Sequence, residues 1–334
     1  MMWGKSNAGG SMHLLIAHLL DTAAVGELIW DRYLAPTVRR QLDDSSGGRG
    51  RTLLSLLCGL HDIGKATPAF QQKDDALARR VKDAGFTWGR FTYTGWHHTY
   101  AGAKIVKSSL TAAGWSPRTV DWIWPIIAGH HGCVPATVEA KLKDSRAHGS
   151  GVWQDAQQAF VDRVIDELDA DLRDLADIGV PSRATQLAVS GLVVMADWIA
   201  SDDQRFGGVA DVEKVSMAGA RGRALKSWTE LDLRGGWAPE SLAPAADQIV
   251  RSRFGFDPNP AQRDVIAMVE SLTAPRASRH RGSDGGGEDG SCIGCCGSTG
   301  ATVRGGRHLR RHADAGDLRS DAHAGPEVAC DDRW

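Results

Sequence analysis

The sequence lacks the features that would place the protein in a membrane or outside the cell. It has no apolar run long enough to cross a bilayer. The apolar segment from Met12 to Leu20 is short, contains two histidines, and has neither the charged region nor the cleavage site of a secretory leader. We therefore expect a cytoplasmic protein that does not associate with membranes.

Cysteine is scarce, since only Cys58 and Cys133 precede the C-terminal tail. Two isolated cysteines indicate a reduced intracellular protein without a disulfide framework. A zinc site in the tail, formed by some of its cysteines with His308 and His312, is a disfavoured interpretation. The tail cysteines are Cys292, Cys295, Cys296 and Cys330.

A positive charge excess is also absent, because 39 Lys and Arg oppose 41 Asp and Glu for a formal net charge of −2. Any contact with nucleic acid must therefore depend on a local patch or a metal centre. The 42% hydrophobic and 24% charged contents are ordinary for a globular protein. The 334 residues suffice for one large or two modest domains.

Strand signals are nearly absent over the first 200 residues or so, and the apolar residues recur at helical spacing instead. This pattern predicts an all-α architecture, that of an HD-domain helical bundle once the motifs below are considered. The predicted helices cover 13–30, 53–64, 96–110, 122–132, 152–175 and 185–201.

The helical pattern weakens after Phe206. Scattered Gly, Pro and Trp indicate a linker with short elements over 207–244, and helical periodicity resumes over 260–272. Beyond Thr273 the chain has no Lys, Phe or Tyr, so we expect disorder there. We predict a helical domain, a linker with an entry segment, and a tail at 1–225, 226–272 and 273–334.

Seven ionisable residues interrupt helices that are otherwise apolar. A buried ionisable group is costly unless it is paired or bound to a cation. One metal centre shared by several helices explains all of them together. The seven residues are His18, His61, Asp62, His98, His130, His131 and Asp197.

The clearest local motif is HDIGK at residues 61–65. A His-Asp pair alone is common by chance, but here Asp62 could bridge two cations while His61 binds one. Gly64 would let the chain turn away from the helix end, and Lys65 would then meet a substrate phosphate. The motif therefore indicates a phosphate-processing metal site.

Two further segments offer ligands with little ambiguity. His130 and His131 close an apolar helix, where divergent directions allow both side chains to reach one site. Asp197 is a carboxylate in the middle of an apolar helix, where a capping role is not expected. Ser201 lies one helical turn beyond Asp197 on the same face.

Two positions leave alternatives open. Either His97 or His98 could be the ligand, and we favour His98 because small residues follow it at 102–103. His18 competes with His13, and a lone helical histidine is more often a satisfied core residue. The pattern at these positions is weaker than at the HD motif.

About five histidines with two aspartates suit two divalent transition-metal ions such as Mn, Fe, Co, Ni or Zn better than an all-oxygen magnesium site. Magnesium is the remaining option. Two such ions can activate water and stabilise both oxygens of an in-line displacement at phosphorus. The expected reaction is therefore hydrolysis of a phosphate ester without a protein nucleophile.

Six motifs now occur in a fixed order: WGKS, HLLDTAAV, LHDIGKATPAFQ, HTYAGA, AGHHG and ADWIAS. In this order they resemble the HD nuclease domain of the Cas helicase–nuclease of type I CRISPR systems, over roughly residues 1–225. The resemblance implies a metal-dependent endonuclease that cleaves single-stranded DNA. It also implies recruitment to a guide-RNA surveillance complex, whose R-loop exposes the displaced strand.

The resemblance further implies roles for single residues. One metal would be held by His18, His61, Asp62 and Asp197. The other would be held by Asp62, His98, His130 and His131, with Asp62 bridging. The positions of Lys65 and Ser201 match those near the scissile phosphate, which makes Lys65, Ser201 and Asp62 the candidate catalytic residues.

The C-terminal part departs from the family, in which a helicase follows. The segment FDPNPAQRDVIAMVESL resembles the helicase entry, with Gln262 at the adenine-reading glutamine, but no Gly-rich nucleotide loop follows. With suitable synonymous codons, a one-nucleotide shift across Arg279–Cys292 yields VIEAPMGEGKTEA, which contains such a loop. We therefore hypothesise a frameshifted tail and no intact helicase in this chain, so that a separate helicase could act in partnership.

Two other functions remain as alternatives: an HD phosphohydrolase acting on nucleotides or cyclic nucleotides, and an inactive truncated remnant. Tryptophans give little functional signal. We expect Trp122, Trp124 and Trp198 to be core aromatics, and Trp88 and Trp96 are weaker candidates for stacking on unpaired bases.

Overall fold

The computed structural model describes residues 2–6, 12–91, 96–132, 134, 145–233, 248, 250–251 and 255–270. The chain divides into two compact units, Met1–Gly236 and Trp237–Trp334. The predicted domain boundaries at 225 and 272 stay predictions. The tail at 273–334, its cysteines and Cys133 lie outside the described residues.

The first unit is helical, which confirms the all-α prediction. Two short strands, β1 (Trp3–Ser6) and β2 (Met12–Leu14), precede the bundle. The helices are α1 (Leu15–Leu28), α2 (Pro36–Ser46), α3 (Gly50–Leu60), α4 (Pro68–Gln71), α5 (Asp75–Asp83), α6 (His98–Ala112), α7 (Pro117–Ala128), α8 (Ser145–His148), α9 (Val152–Glu167), α10 (Arg183–Ala200) and α11 (Met217–Glu230). In the second unit the described residues include α12 (Pro260–Glu270).

Helix α1 is the central element of the bundle, because every residue from Leu15 to Glu27 is buried. It packs against α3, α10 and α11. The approach to α3 is close at Gly26, where an added Cβ would lie 2.9 Å from the Cys58 Sγ atom. Polar side chains on a helix that is buried on all sides need partners, because water cannot reach them. Helix α1 carries three such side chains, His18, Asp21 and Glu27.

The N-terminal boundary of α1 differs from the prediction. His13, which we placed in the helix, belongs to β2, and the strand pairs antiparallel with β1 in the register Lys5↔His13. The apolar run Met12–Leu20 is continuous across this change of conformation. Periodicity alone does not separate a short buried strand from the helix that follows it.

Helices α2, α4, α5, α8 and α11 were missed by the sequence reasoning. We expected Pro36 to break structure, but it occupies the first turn of α2, where its fixed φ favours a helix start. We expected a linker over 207–244, but α11 lies within it and begins at the N-cap Ser216. The face that α11 buries includes the small residues Ala220 and Ala224, so its apolar signal is weak.

Helix α11 is attached to α1 through buried carboxylates. Arg223 donates two hydrogen bonds to Asp21 Oδ1, at 2.9 and 2.6 Å. Arg221 binds Glu27 with two hydrogen bonds of 2.7 and 2.8 Å. Arginines thus compensate these two buried carboxylates of α1.

Candidate metal centre

The ends and faces of five helical segments converge on one point of the bundle. Helix α1 presents His18, the turn after α3 presents the HD pair, α6 begins with His98, the turn after α7 carries the His pair, and α10 presents Asp197. The ligating atoms form two groups of four, each with all atoms within 4.8 Å of one another. The deep cluster is His18, His61, Asp62 and Asp197, and the outer cluster is Asp62, His98, His130 and His131.

The deep cluster pairs two carboxylates with two imidazoles. Asp62 Oδ2 lies 3.1 Å from His18 Nε2 and 3.4 Å from His61 Nε2. Asp197 Oδ1 lies 3.2 Å from His61 Nε2 and 3.6 Å from His18 Nε2. Both imidazoles are fully buried, so this pocket is closed to bulk water.

The outer cluster uses the other oxygen of the same carboxylate. Asp62 Oδ1 lies 3.3 Å from His98 Nε2 and 3.4 Å from His130 Nε2. The Nε2 atoms of His98 and His131 are 3.2 Å apart. Because Oδ1 faces one cluster and Oδ2 the other, Asp62 has the geometry of a bridging ligand.

Backbone carbonyls orient two of the imidazoles. His61 Nδ1 donates to Cys58 O at 2.7 Å, and His130 Nδ1 donates to Ile127 O at 2.7 Å. Each bond directs the opposite nitrogen into the centre, as outer partners do for metal-ligating histidines. The buried atoms His61 Nε2, His130 Nε2 and Asp62 Oδ1 have no hydrogen-bond partner. These orphaned donor atoms fit a pair of divalent metal ions, and borderline ions suit a set of imidazoles and carboxylates.

Electrostatics differ between the clusters. Burial lowers the pKa of His18 and His98 well below the usual range, and burial with the neighbouring His130 lowers the pKa of His131 to about 4. Burial opposes charge on His61 as well, but the carboxylates of Asp62 and Asp197 raise its pKa to about 10. Without a metal ion, His61 of the deep cluster therefore keeps a proton that His98 and His131 of the outer cluster have lost.

The two other candidate catalytic residues both contact ligand carboxylates. Lys65 Nζ lies 2.6 Å from Asp62 Oδ2. Burial favours the neutral acid, but the positive charges of Lys65 and His61 hold the pKa of Asp62 well below its usual range. Ser201 Oγ donates to Asp197 Oδ1 at 2.8 Å. The structure thus brings the nine predicted site residues together, with seven of them around the carboxylates of Asp62 and Asp197.

The alternatives at two histidines separate in space. His97 is the N-cap of α6, where its Nδ1 accepts from Thr99 N at 3.3 Å, while its ring stacks on His98 at 4.7 Å. His13 Nε2 lies 3.2 Å from Asp21 Oδ2 and thus faces a different carboxylate. His98 and His18 are the members of each pair whose nitrogens reach Asp62.

Gly64 serves a purpose other than the one expected. We predicted that it would turn the chain at the helix end, but its φ is not positive. An added Cβ would lie 1.8 Å from His98 O and 2.4 Å from Gly102 N. Gly64 is therefore required because the HD turn and α6 approach backbone to backbone, which brings His98 to Asp62.

Two residues at the centre were missed, although both lie in motifs of the family resemblance. Lys5 in WGKS donates its Nζ to Ala200 O at 3.3 Å, and burial followed by repulsion from Lys65 lowers its pKa to about 8. Gln71, at the end of PAFQ, is fully buried, and its Nε2 donates to Trp3 O at 2.8 Å and to Lys65 O at 2.9 Å. A buried glutamine beside the HD motif is the signal that could have indicated this connection.

The expectation for one tryptophan was wrong. Trp122 is buried, as predicted, but the Trp198 side chain is 75% exposed. It follows Asp197 directly on α10, so the helix turns the carboxylate inward and the indole outward. Trp96 is buried, and Trp88 is partly buried with its ring centroid 5.8 Å from that of Trp153.

Comparison with known proteins places these observations in a family context. The model of the family described as "Cas3, HD domain" matches residues 3–206. The chain is 29% identical over 286 residues to the CRISPR-associated endonuclease/helicase Cas3 of Thermus thermophilus, and 27% identical over 313 residues to the CRISPR-associated nuclease/helicase Cas3 of Streptococcus thermophilus. Each alignment covers 82% of this chain but only 30% and 32% of those relatives.

Solved structures show the same fold. A protein described as CRISPR-associated superposes with a TM-score of 0.68 at 27% identity, covering 82% of this chain and 31% of that one. The Thermus thermophilus cas3 HD domain, crystallised in the presence of Ni²⁺, gives a TM-score of 0.52 at 24% identity over 66% of this chain and 86% of that one. A chain of a pre-nicking CRISPR RNA-guided surveillance complex gives 0.57 at 22% identity, covering 82% and 31%.

Across the part of the chain that the structure describes, no helix has both the length and the apolarity needed to span a membrane.

Proposed function

The chain belongs to the Cas3 HD-domain family, and on that premise we propose that it is a metal-dependent endonuclease that cleaves single-stranded DNA in CRISPR interference. The observation that carries the proposal is the position of Asp62, whose two oxygens face two separate clusters of ligating atoms. A carboxylate shared in this way is the arrangement that a two-ion phosphodiesterase requires.

The metal proposal follows from the donor set. We infer that two ions such as Mn, Fe, Co or Ni are bound, one in each cluster, with magnesium as a weaker fit. When bound, such ions supply Lewis acidity and an activated water. The protein residues hold the ions in place, exclude bulk water from the deep cluster, and position Lys65 to neutralise a phosphate oxygen.

An exposed aromatic side chain on the helix that carries Asp197 favours an unpaired nucleic acid. Trp198 exposes its indole one residue from the ligand Asp197. A base with a free face can stack on such a ring, which is worth about 1–3 kcal/mol in single-strand binding proteins. This feature supports a single strand as the substrate.

The partners are proposed on the same family basis. The relatives are described as CRISPR-associated, and one neighbour was solved as part of an RNA-guided surveillance complex. We infer that a guide-RNA surveillance complex exposes the displaced strand to this chain. A separate helicase would feed the strand onward.

The test is cleavage of circular single-stranded DNA, which has no ends for an exonuclease. The chain is loaded in turn with Mn²⁺, Co²⁺, Ni²⁺ or Mg²⁺, and nucleotides and cyclic nucleotides are offered in parallel. We expect linear and then shorter DNA products with the transition metals. Hydrolysis of the nucleotides alone would favour a nucleotide phosphohydrolase, and no hydrolysis with a fully loaded centre would favour an inactive remnant.

A further inference from the structure

Lys5 is a cation held within the protein without a carboxylate at ion-pair distance among the described residues. Its side chain is half-buried, and its ammonium donates to the backbone oxygen of Ala200 at 3.3 Å. An ammonium has three donors, and this is the one hydrogen bond it makes within the described residues. Asp62, Asp197 and Asp203 attract it only from beyond ion-pair distance.

Lys5 lies at the same cluster as Lys65. The Lys65 ammonium is 2.6 Å from Asp62 Oδ2, and its repulsion is the largest influence on the pKa of Lys5 after burial. The strand also passes directly over α1, because a Cβ on Gly4 would lie 3.5 Å from the Cβ of His18. Two ammonium groups therefore lie near the deep cluster.

A buried side chain keeps them together. Gln71 accepts from Trp3 N at 3.1 Å and donates to Trp3 O at 2.8 Å, so it binds β1 as a neighbouring strand would. The same amide donates to Lys65 O at 2.9 Å. Its hydrogen bonds thus fix the strand that carries Lys5 to the turn that carries Lys65.

Bringing two cations together in a half-buried position is unfavourable unless anions offset both, and Asp62 pairs directly only with Lys65. We propose that Lys5 is a second phosphate-binding residue, which together with Lys65 holds the oxygens of a phosphate group over the deep cluster. This rests on the proposed function for the identity of the ligand as the phosphodiester of a nucleic acid. Charge-assisted hydrogen bonds from two ammonium groups suit the two free oxygens of that group.

The competing role is structural, since Ala200 ends α10 and a cation favours the C-terminus of a helix. The test compares Lys5→Gln and Lys5→Arg with Lys226→Gln, which removes one exposed charge from α11. Inorganic phosphate is titrated by calorimetry into each Mn²⁺-loaded protein, after metal content and melting temperature have been measured.

We expect the Kd for phosphate to rise roughly tenfold or more in Lys5→Gln, the scale of one lost hydrogen bond to a charged group. Lys5→Arg should retain most of the affinity, and Lys226→Gln all of it. The slope of log KM for an oligothymidylate against log salt should also fall by about 0.7 in Lys5→Gln, as for one lost contact to a single strand. Unchanged phosphate affinity with an intact metal content would overturn the proposal.

A measurement on the unmodified chain covers the case in which Lys5→Gln does not fold or does not bind metal. Lysines are acylated with and without phosphate, and the modified sites are counted by mass spectrometry. Phosphate should protect Lys5 and Lys65 but not Lys226, and no protection of Lys5 contradicts the inference. Phosphate binding is independent of cleavage, so a chain that binds phosphate through Lys5 but cuts no DNA contradicts only the proposed function.

Discussion

The two halves of the metal centre share Asp62 but differ in nearly everything else. The deep cluster adds a second carboxylate, Asp197, and its two imidazoles are fully buried. The outer cluster adds only imidazoles, and one of them, His131, is exposed. Two carboxylates in a closed pocket favour a tightly held ion, whereas imidazoles in an open pocket favour exchange of the ion.

The two clusters also differ in how firmly the surrounding helices hold their ligands. The deep ligands come from the central helix α1, from the turn after α3, and from α10, all of which pack directly together. The outer ligands come from the first residue of α6 and from the turn after α7. Ligands on packed helices are positioned more rigidly than those at helix termini, so we expect the outer ion to be the more easily lost.

The largest effect should come from removing the residue that the clusters share. Asp62→Asn takes an anionic ligand from both sites, so DNA cleavage should fall by roughly 10³-fold or more, equivalent to about 4 kcal/mol of barrier. Metal content, measured by elemental analysis, should fall for both ions. The control is Asp155→Asn on the exposed face of α9. Full activity in Asp62→Asn would contradict the two-cluster interpretation altogether.

The next effect should distinguish the clusters. His18→Ala should weaken binding of the deep ion by more than about 100-fold, since even partners one step removed from a metal are worth 10- to 100-fold. His131→Ala should cost only about tenfold, because that side chain is exposed and water can replace it. Competitive titration with a chelator measures both constants. Equal losses in the two variants would show that the clusters do not differ in strength.

A smaller effect is expected from Ser201→Ala, which removes the hydrogen bond that orients Asp197. The deep ion should bind about tenfold more weakly, and the outer ion should be unaffected. The matched control is Ser190→Ala, a partly exposed serine of the same helix. If Ser201→Ala weakened the outer ion instead, Ser201 would support the outer cluster, which contradicts the prediction.

The mildest test uses pH. Burial opposes charge on His61, but its carboxylate neighbours raise its pKa to about 10, so below pH 10 the deep ion must displace a proton. Its apparent Kd should therefore fall about tenfold for each unit of rising pH between 6 and 9. Burial and the neighbouring His130 lower the pKa of His131 to about 4, so the outer ion should show little dependence. Proton release during calorimetric metal titration would reveal the difference, and equal release at both sites would contradict it.

Sequence patterns were sufficient to select the side chains that converge in the candidate metal centre, because each is a polar residue in an apolar segment. His61 and Asp62 follow a run of leucines, and Asp197 interrupts α10. Such interruptions indicate a functional site from the sequence alone, because a buried ionisable group is costly without a partner. The frame of the bundle followed from the same apolar periodicity.

The missed features depend on neighbours that are distant in the chain. Trp198 is exposed although its helix is apolar, because no other element covers that side of α10 among the described residues. Helix α11 lacks a strong apolar stripe and is fixed instead by Arg223 on Asp21, 202 residues away in sequence. Gly64 is needed only because α6 approaches it. None of these constraints produces a periodic pattern in the sequence.

By itself the sequence determined which side chains could bind metal and that helices would carry them. The tertiary structure decided how those side chains divide into two clusters, because only packing sets which oxygen of Asp62 faces which histidine. It also decided which histidine of each competing pair enters the centre, and that β1 brings Lys5 to Lys65. Spacing along the sequence specifies which residues share one face of a helix. A metal centre depends instead on the distances between side chains from several helices.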